Sequence, residues 1–436
     1  MPKFFRAPAG THDFLPDDHD FFTFIKKVVR HRFRQAGFRR ISPPNFEETA
    51  VFEKSLGAES EIFQKKLFSF SDRTGKNFSL RPEITTGIVR AFIEKKMDTG
   101  ALPKKFYYIG KCFQFERPRV NVQREFWQFG TEILGEFDPA IDAKIIYLGH
   151  RILQDLGIRE KCSLKINFIG DRDSRRDFFE ALENFFAGKE RNLTPASREK
   201  IAQKKFFEFL AHPQSDDEKI LIRMAPKILD FLNENSKNFF DEMLEYLKIF
   251  EINFEICPNF FLSKKYYSNT IFEFSEKKLE QKILSGGRYD ELIEKMGGES
   301  HGAIGFAAGV ERIINLMKKN KIEVPQKDFL QIFVAATGPI AKKHALPILI
   351  KLREHGFHAV GVLGKASMQT QLERAQKFKV PFIILIGDIE VKKNQVIVRD
   401  NRTGKQIWLP TENLLPEMEK LLNVKLDSTV DFLGHE

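Results

Sequence analysis

Two short stretches of this sequence carry side chains suited to chemistry. The longer, KCFQFERPRVNVQREFWQFGTEILG from Lys111 to Gly135, alternates apolar and polar residues from Phe113 to Arg117, breaks at a basic loop, and alternates again from Phe126 to Glu132. Side chains along a strand point to opposite faces in turn, so this spacing predicts a hairpin with one polar face carrying Gln114, Glu116, Gln128 and Glu132. Phe126, Gln128, Gly130 and Glu132 share a face, where the glycine leaves room for a small ligand to approach the backbone. In the shorter stretch, RPEIT, Glu83 and Thr85 fall on one side of an extended segment. A carboxylate beside a hydroxyl suits an ammonium group, although the same pair taken alone also fits a surface ion pair. A third stretch, SGGRYD with Gly286 and Gly287, reads as a tight turn.

The elements that must position these groups follow from periodicity. After LPDD, the residues Phe21, Ile25, Val29 and Phe33 recur on one stripe, with Asp17 and Asp18 near the start and Gly37 past the end, which predicts a capped amphipathic helix. ISPPNFEETAVF predicts an extended entry strand, because Pro43 and Pro44 restrict the residues before them and cannot continue a helix. Further strand signals at Leu67–Phe70, Phe78–Leu80 and Phe106–Ile109 suggest a mostly antiparallel sheet with flanking helices, an α+β arrangement. Residues 173–248 switch to charged, Phe-rich helical periodicity and predict a helical insertion. Strand signals return over Ile252–Phe274, followed by a glycine-rich and then helical segment. A polar stretch with a proline at Asn320–Lys327 reads as a linker. Beyond it strands and helices alternate from FLQIFVAAT to PFIILIG, and NQVIVRDNRTGKQIWLP closes the series with a hairpin, which predicts a small parallel α/β domain. The expected division is 1–325, 328–412 and a tail at 413–436.

Composition bounds the function classes. At 436 residues the chain is long enough for two or three domains, and a formal charge of +10 favours a polyanionic partner such as nucleic acid. Cys112, Cys162 and Cys257 lack metal-ligand spacing and fit reduced, buried thiols. The 45 phenylalanines read as core filling. No export leader and no membrane-length apolar run is recognisable, so the expectation is a cytoplasmic protein without a membrane span.

Taken together, RAPAGTHDFLP, SLRPEITTGIVR, FERP...REFWQFGTEILG, YYSNTIFEF, SGGRYDELIEKMGG and GFAAGVERI resemble the histidyl-tRNA synthetase family of class II aminoacyl-tRNA synthetases, in its order and roughly its spacing. The C-terminal α/β segment resembles that family's anticodon-binding domain, so the resemblance covers nearly the whole chain. It implies histidine binding by Glu83, Thr85, Gln128, Glu132, Tyr266 and Tyr267, with Glu132 near the imidazole. For ATP it implies Glu116 at the adenine, with Phe126 and Arg312 stacking on its two sides, an arrangement that suits a flat base. It further implies a homodimer, tRNA as partner, and ATP with magnesium if the chain is active, with no tightly bound cofactor and no metal site of its own.

The pattern fails at three basic positions. The family's α-phosphate arginine is replaced by Gln114, the arginine of its RGLDYY segment by Leu262 in LSKKYY, and a basic loop residue by Val122. An uncharged amide and an aliphatic chain do not stabilise the charge that builds on the α-phosphate, and one lost donor of this kind costs on the order of 10²–10³ in rate. Lys264, Arg119 or Arg124 could substitute, although lysine lacks the bidentate fork of a guanidinium. In the C-terminal domain, Lys365, Arg374, Lys377, Lys379, Arg399, Arg402 and Lys405 supply cations suited to an RNA backbone. The resulting expectation is a histidine- and tRNA-binding relative of the synthetases with weak or lost adenylation. An ordinary histidine-tRNA ligase and a histidine-sensing regulatory subunit of ATP phosphoribosyltransferase are the alternatives.

Overall fold

The computed structural model describes residues 5–117, 123–262, 266–325, 330–361, 364 and 367–423. The chain divides into two compact units, Met1–Val324 and Pro325–Glu436.

The first unit is built on an eight-stranded mixed sheet. Its strands run in the spatial order Arg39–Arg40, Lys104–Phe113, Glu125–Leu134, Ala303–Gly309, Lys282–Arg288, Ser268–Glu276, Cys162–Phe168 and Glu255–Ile256. The six central strands pair antiparallel, and the two edge strands pair parallel with their neighbours. Alternation gives this sheet two apolar faces. Tyr107, Phe129 and Ile133 face a core shared with the helix Pro16–Gln35, whereas Tyr108, Cys112 and Leu134 face one shared with Ile84, Ile88, Tyr266 and Tyr289. That helix buries Phe22, Ile25, Val29 and Phe33, so Phe22 takes the place expected for Phe21. A strict four-residue step drifts off a 3.6-residue stripe, and a step of three at the start corrects the drift.

Four local expectations need correction. The first hairpin strand is Lys104–Phe113, so Gln114 and Glu116 lie past its end. The alternation that follows is real but serves several partners: the N–H of Phe113 donates to Arg81 O, that of Gln114 to Arg124 O, and that of Phe115 to Lys66 O. The entry strand is confined to Phe46–Glu48, paired in a separate three-stranded sheet, and Thr49–Leu56 continues as a helix burying Phe52, Ser55 and Leu56. Glu83 and Thr85 do not share an extended segment, because Thr85 opens the helix Thr85–Glu94. Gly286 and Gly287 lie inside the strand Lys282–Arg288 and not in a turn; a side chain on either would strike the backbone oxygen of Gly305 or Thr270 in the neighbouring strands.

Between Arg172 and Ile249 the chain is helical. Asp171, Thr194, Ser215 and Asn233 each accept a backbone N–H three residues on, capping four helices in turn. Phe178, Leu182, Phe186, Phe206 and Phe209 form a core here, whereas the last helix, Glu234–Ile249, packs Phe239, Met243 and Leu247 into the main sheet core.

The second unit has a five-stranded sheet in the order Ala359–Gly361, Ile332–Ala336, Phe382–Ile386, Gln395–Asp400, Gln406–Pro410, parallel over the first three and antiparallel over the hairpin. The helix Pro339–Glu354 covers one face through Ala341, Ala345 and Ile348; Met368–Lys377 covers the other through Ala375. Leu414–Leu422, placed in the C-terminal tail on the sequence, is a helix that buries Leu414 and Met418 in this core. Among the described residues, no helix is long and apolar enough to cross a membrane.

Candidate active site

The residues singled out on the sequence converge on one cavity of about 430 Å³ in the first unit. Glu83, Gln114, Glu116, Phe126, Gln128, Leu262, Tyr267 and Arg312 line it. Thr85, Glu132 and Tyr266 stand behind that lining, all less than a tenth exposed.

The carboxylate-bearing end is built from two sets of buried hydrogen bonds, around Glu83 and around Glu132. Glu83 reaches back over the start of its helix, where Oε1 accepts from the N–H of Thr86 at 2.9 Å and Oε2 from the hydroxyl of Tyr266 at 2.8 Å. Glu132 Oε1 accepts from Thr85 Oγ1 at 2.7 Å, and its other oxygen from the Tyr289 hydroxyl. A buried carboxylate held by two hydroxyl donors keeps its orientation fixed. Burial, reinforced by these carboxylates, pushes the Tyr266 and Tyr289 phenols well above their ordinary range, so both remain donors. Gln128 accepts a weak bond from Cys112 Sγ at 3.3 Å.

Sequence reasoning missed Tyr289, which follows the SGGR glycines, and also Gly305. A Cβ at Gly305 would overlap Glu132 Oε2, so this glycine is what lets the Glu132 side chain cross the neighbouring strand. Gly130 corrects an expectation: the space its missing side chain leaves is filled by the Tyr108 hydroxyl and Phe306 O and not by room for a ligand.

At the other end, the amide of Gln114 donates through Nε2 to Pro82 O at 2.9 Å. Leu262 packs with the aromatic core of the helical segment, beside Tyr267. Arg124 stacks its guanidinium on Phe115, 4.4 Å from the ring centroid, and donates through Nε to Glu116 O at 3.0 Å. Arg119, Val122, Lys264 and Lys365 lie outside the described residues.

Three of the cations lining the cavity are ones the sequence did not flag. Lys66, Lys200 and Lys282 line the cavity together with Arg312. Lys66 Nζ sits 2.8 Å from Glu116 Oε1, which gives Glu116 an ionic partner in place of a free acceptor face. Arg312 donates through Nη1 to Lys282 O at 3.1 Å, and burial pulls its guanidinium below the ordinary range. Its neighbour Glu311 accepts from the Trp127 N–H at 2.8 Å and is pushed up to about 7 by burial. The cavity therefore combines oriented carboxylates with a lining that carries several cations.

In the second unit, Arg374, Lys377, Lys379, Arg402 and Lys405 are exposed, and Arg399 is half-buried. The N–H of Asn401 donates to Pro381 O and its side-chain amide to Val380 O, which brings the hairpin turn carrying Arg402 beside Lys379.

Comparison with known proteins agrees with this layout. Residues 10–313 match the family described as histidyl-tRNA synthetase, and residues 331–421 match an anticodon binding domain. The chain is 34% identical over 420 residues to a histidine–tRNA ligase of Halothermothrix orenii, covering 96% of this chain and 99% of that protein. It is 33% identical over 420 residues to the histidine–tRNA ligase of Bacillus subtilis, covering 95% and 98%. The crystal structure of apo histidyl-tRNA synthetase from S. aureus superposes with a TM-score of 0.78 at 28% identity, covering 95% of this chain and all of that one. With the class II sheet, the convergent cavity and the second unit's sheet all matched over nearly the full length, the chain belongs to the histidyl-tRNA synthetase family.

Proposed function

We propose that this protein binds histidine and tRNA and that its adenylation step is weak or lost. The observation that carries the reading is the state of the two positions where the family has arginine. Gln114 directs its amide to a backbone oxygen, and Leu262 belongs to an apolar cluster. In the family reaction the histidine carboxylate attacks the α-phosphorus of ATP and expels pyrophosphate; the terminal ribose hydroxyl of tRNA then takes the histidyl group and AMP leaves. Charge gathers on the α-phosphate oxygens in the first step, and neither residue here offers a cation for it.

In this reading Glu83, Thr85, Gln128, Glu132, Tyr266 and Tyr267 hold histidine, and the buried hydrogen bonds around Glu83 and Glu132 support a pocket of fixed polarity. Glu116, Phe126 and Arg312 form the nucleotide side, where ATP arrives as its magnesium complex. The exposed cations near Lys379 and Arg402 bind tRNA phosphates. The protein acts in the cytoplasm as a homodimer. Histidine-dependent exchange of pyrophosphate into ATP, run alongside histidine and tRNA binding, tests the reading: binding with little exchange is the expected result, and robust exchange refutes it.

The second reading, an ordinary histidine–tRNA ligase, is favoured by the near full-length likeness to such ligases and by the cations lining the cavity. A regulatory subunit of ATP phosphoribosyltransferase is disfavoured by the matched anticodon binding domain at 331–421.

A further inference from the structure

We propose that the helical segment 172–249 is a working wall of the cavity and that its Lys200 is the cation that holds the phosphates of ATP in this chain. The inference rests on the nucleotide reading of the cavity given above and adds a residue to it.

Lys200, Glu208 and His212 line the same cavity as Gln114 and Leu262, although they come from a different part of the fold. Lys200 lies on the helix Pro195–Ala202, one turn after Ser197, which is fully buried, and the helix is fixed at its start by the Thr194 cap. Glu208 lies on Phe206–Ala211, which Phe206, Phe209 and Leu210 anchor in the aromatic core. Both side chains are therefore presented from packed helices and not from a loose loop.

The cations lining the cavity differ in how far the protein already satisfies them. Lys66 is held by Glu116 at 2.8 Å and Glu61 at 3.5 Å. Arg312 donates to Lys282 O, and Lys282 has a partner of its own. Lys200 is half-buried, and its ammonium has no hydrogen-bond or ion-pair partner among the described residues. On the same wall, Glu208 Oε1 is shielded from solvent and also unpartnered. Leaving a buried polar atom such as Glu208 Oε1 without a partner is costly, and a ligand carrying an acceptor for the Lys200 ammonium and a donor for Glu208 completes this wall. A nucleotide supplies phosphate oxygens for the first and ribose hydroxyls for the second. Burial, and after it the charge of Lys200, lowers the His212 imidazole below its ordinary range, with Glu61 opposing and Lys282 and Lys66 adding smaller effects.

An ammonium is a point charge without the planar fork of arginine. It strengthens binding of the triphosphate in the ground state as much as in the transition state, so it lowers the concentration of ATP needed without restoring the rate. Lys200 thus accounts for an ATP site that persists while adenylation weakens.

The test compares the full-length wild type with K200M and K200R by calorimetric titration of ATP, adenosine and histidine separately. K200M is expected to bind ATP about tenfold more weakly, as removal of one charge-assisted hydrogen bond implies. Adenosine and histidine binding should stay at wild-type level, and K200R should recover most of the ATP affinity. Unchanged ATP affinity in K200M overturns the proposal, as does an equal loss for adenosine. A wild type that binds histidine but no ATP overturns it while leaving the histidine pocket standing. A wild type that binds ATP but no histidine leaves the K200M comparison decisive here and removes the histidine reading instead.

Discussion

The two ends of the cavity are built on opposite rules. At the carboxylate end, Glu83, Thr85, Thr86, Glu132, Tyr266 and Tyr289 satisfy one another, so the pocket is oriented before any ligand enters. At the cationic end, charge comes from Arg312 and from lysines on three separate stretches of chain, and Gln114 and Leu262, where the proposed reading expects arginine, carry an amide and an alkyl group. Removing one member of a closed buried network leaves its partners unsatisfied, and that costs stability as well as binding. A phosphate-facing arginine stands apart from such a network, and its loss is felt mainly in the transition state.

The strongest challenge to this contrast is to restore the arginines. The double variant Q114R/L262R should raise histidine-dependent pyrophosphate exchange by on the order of 10² or more, since each donor is worth roughly 10²–10³. A rise below about threefold would mean that the loss lies elsewhere in the cavity. At the opposite end, E132Q places an amide against two hydroxyl donors, Thr85 and Tyr289. On the proposed reading, in which histidine shares that carboxylate with Thr85 and Tyr289, histidine affinity should fall by about ten- to a hundredfold by titration calorimetry, with a lowered melting temperature.

A smaller effect should come from the second unit. Replacing Lys379 and Arg402 by alanine is expected to reduce the salt dependence of tRNA binding by about one unit of log–log slope for each phosphate no longer neutralised. Equal slopes for variant and wild type over a salt series would remove these residues from the interface. The smallest effect concerns Glu311, whose carboxyl is raised from 4.5 to about 7 by burial. A raised folded-state value means the folded chain holds the proton more tightly, so the stabilisation is complete at low pH and is lost as pH rises towards and through about 7. The urea midpoint of the wild type should therefore decline relative to E311Q between pH 5 and pH 8.

Much of the fold is legible in the sequence because it is local. Periodicity marks the helix that buries Ile25, Val29 and Phe33, and the alternating strands and helices of the second unit occur where the pattern puts them. Departures fall where a local signal has a tertiary cause. Gly286 and Gly287 look like a turn because glycine is common in turns, yet here the crowding of two adjacent strands requires them. Glu83 and Thr85 look extended after Pro82, yet a helix begins between them and sends each to a different partner.

The family, the order of elements and the presence of glutamine at 114 and leucine at 262 can all be read from the linear chain, since residue identity and spacing are all these require. Folding in three dimensions was needed to show that Tyr289 and Gly305 serve Glu132, and that Lys66 and Lys200 face the same cavity as Gln114. These residues stand far apart along the chain, and no periodic signal links a lysine on an inserted helix to a glutamine beyond a strand. Only the packing of the helical segment against the sheet brings their charges into one space.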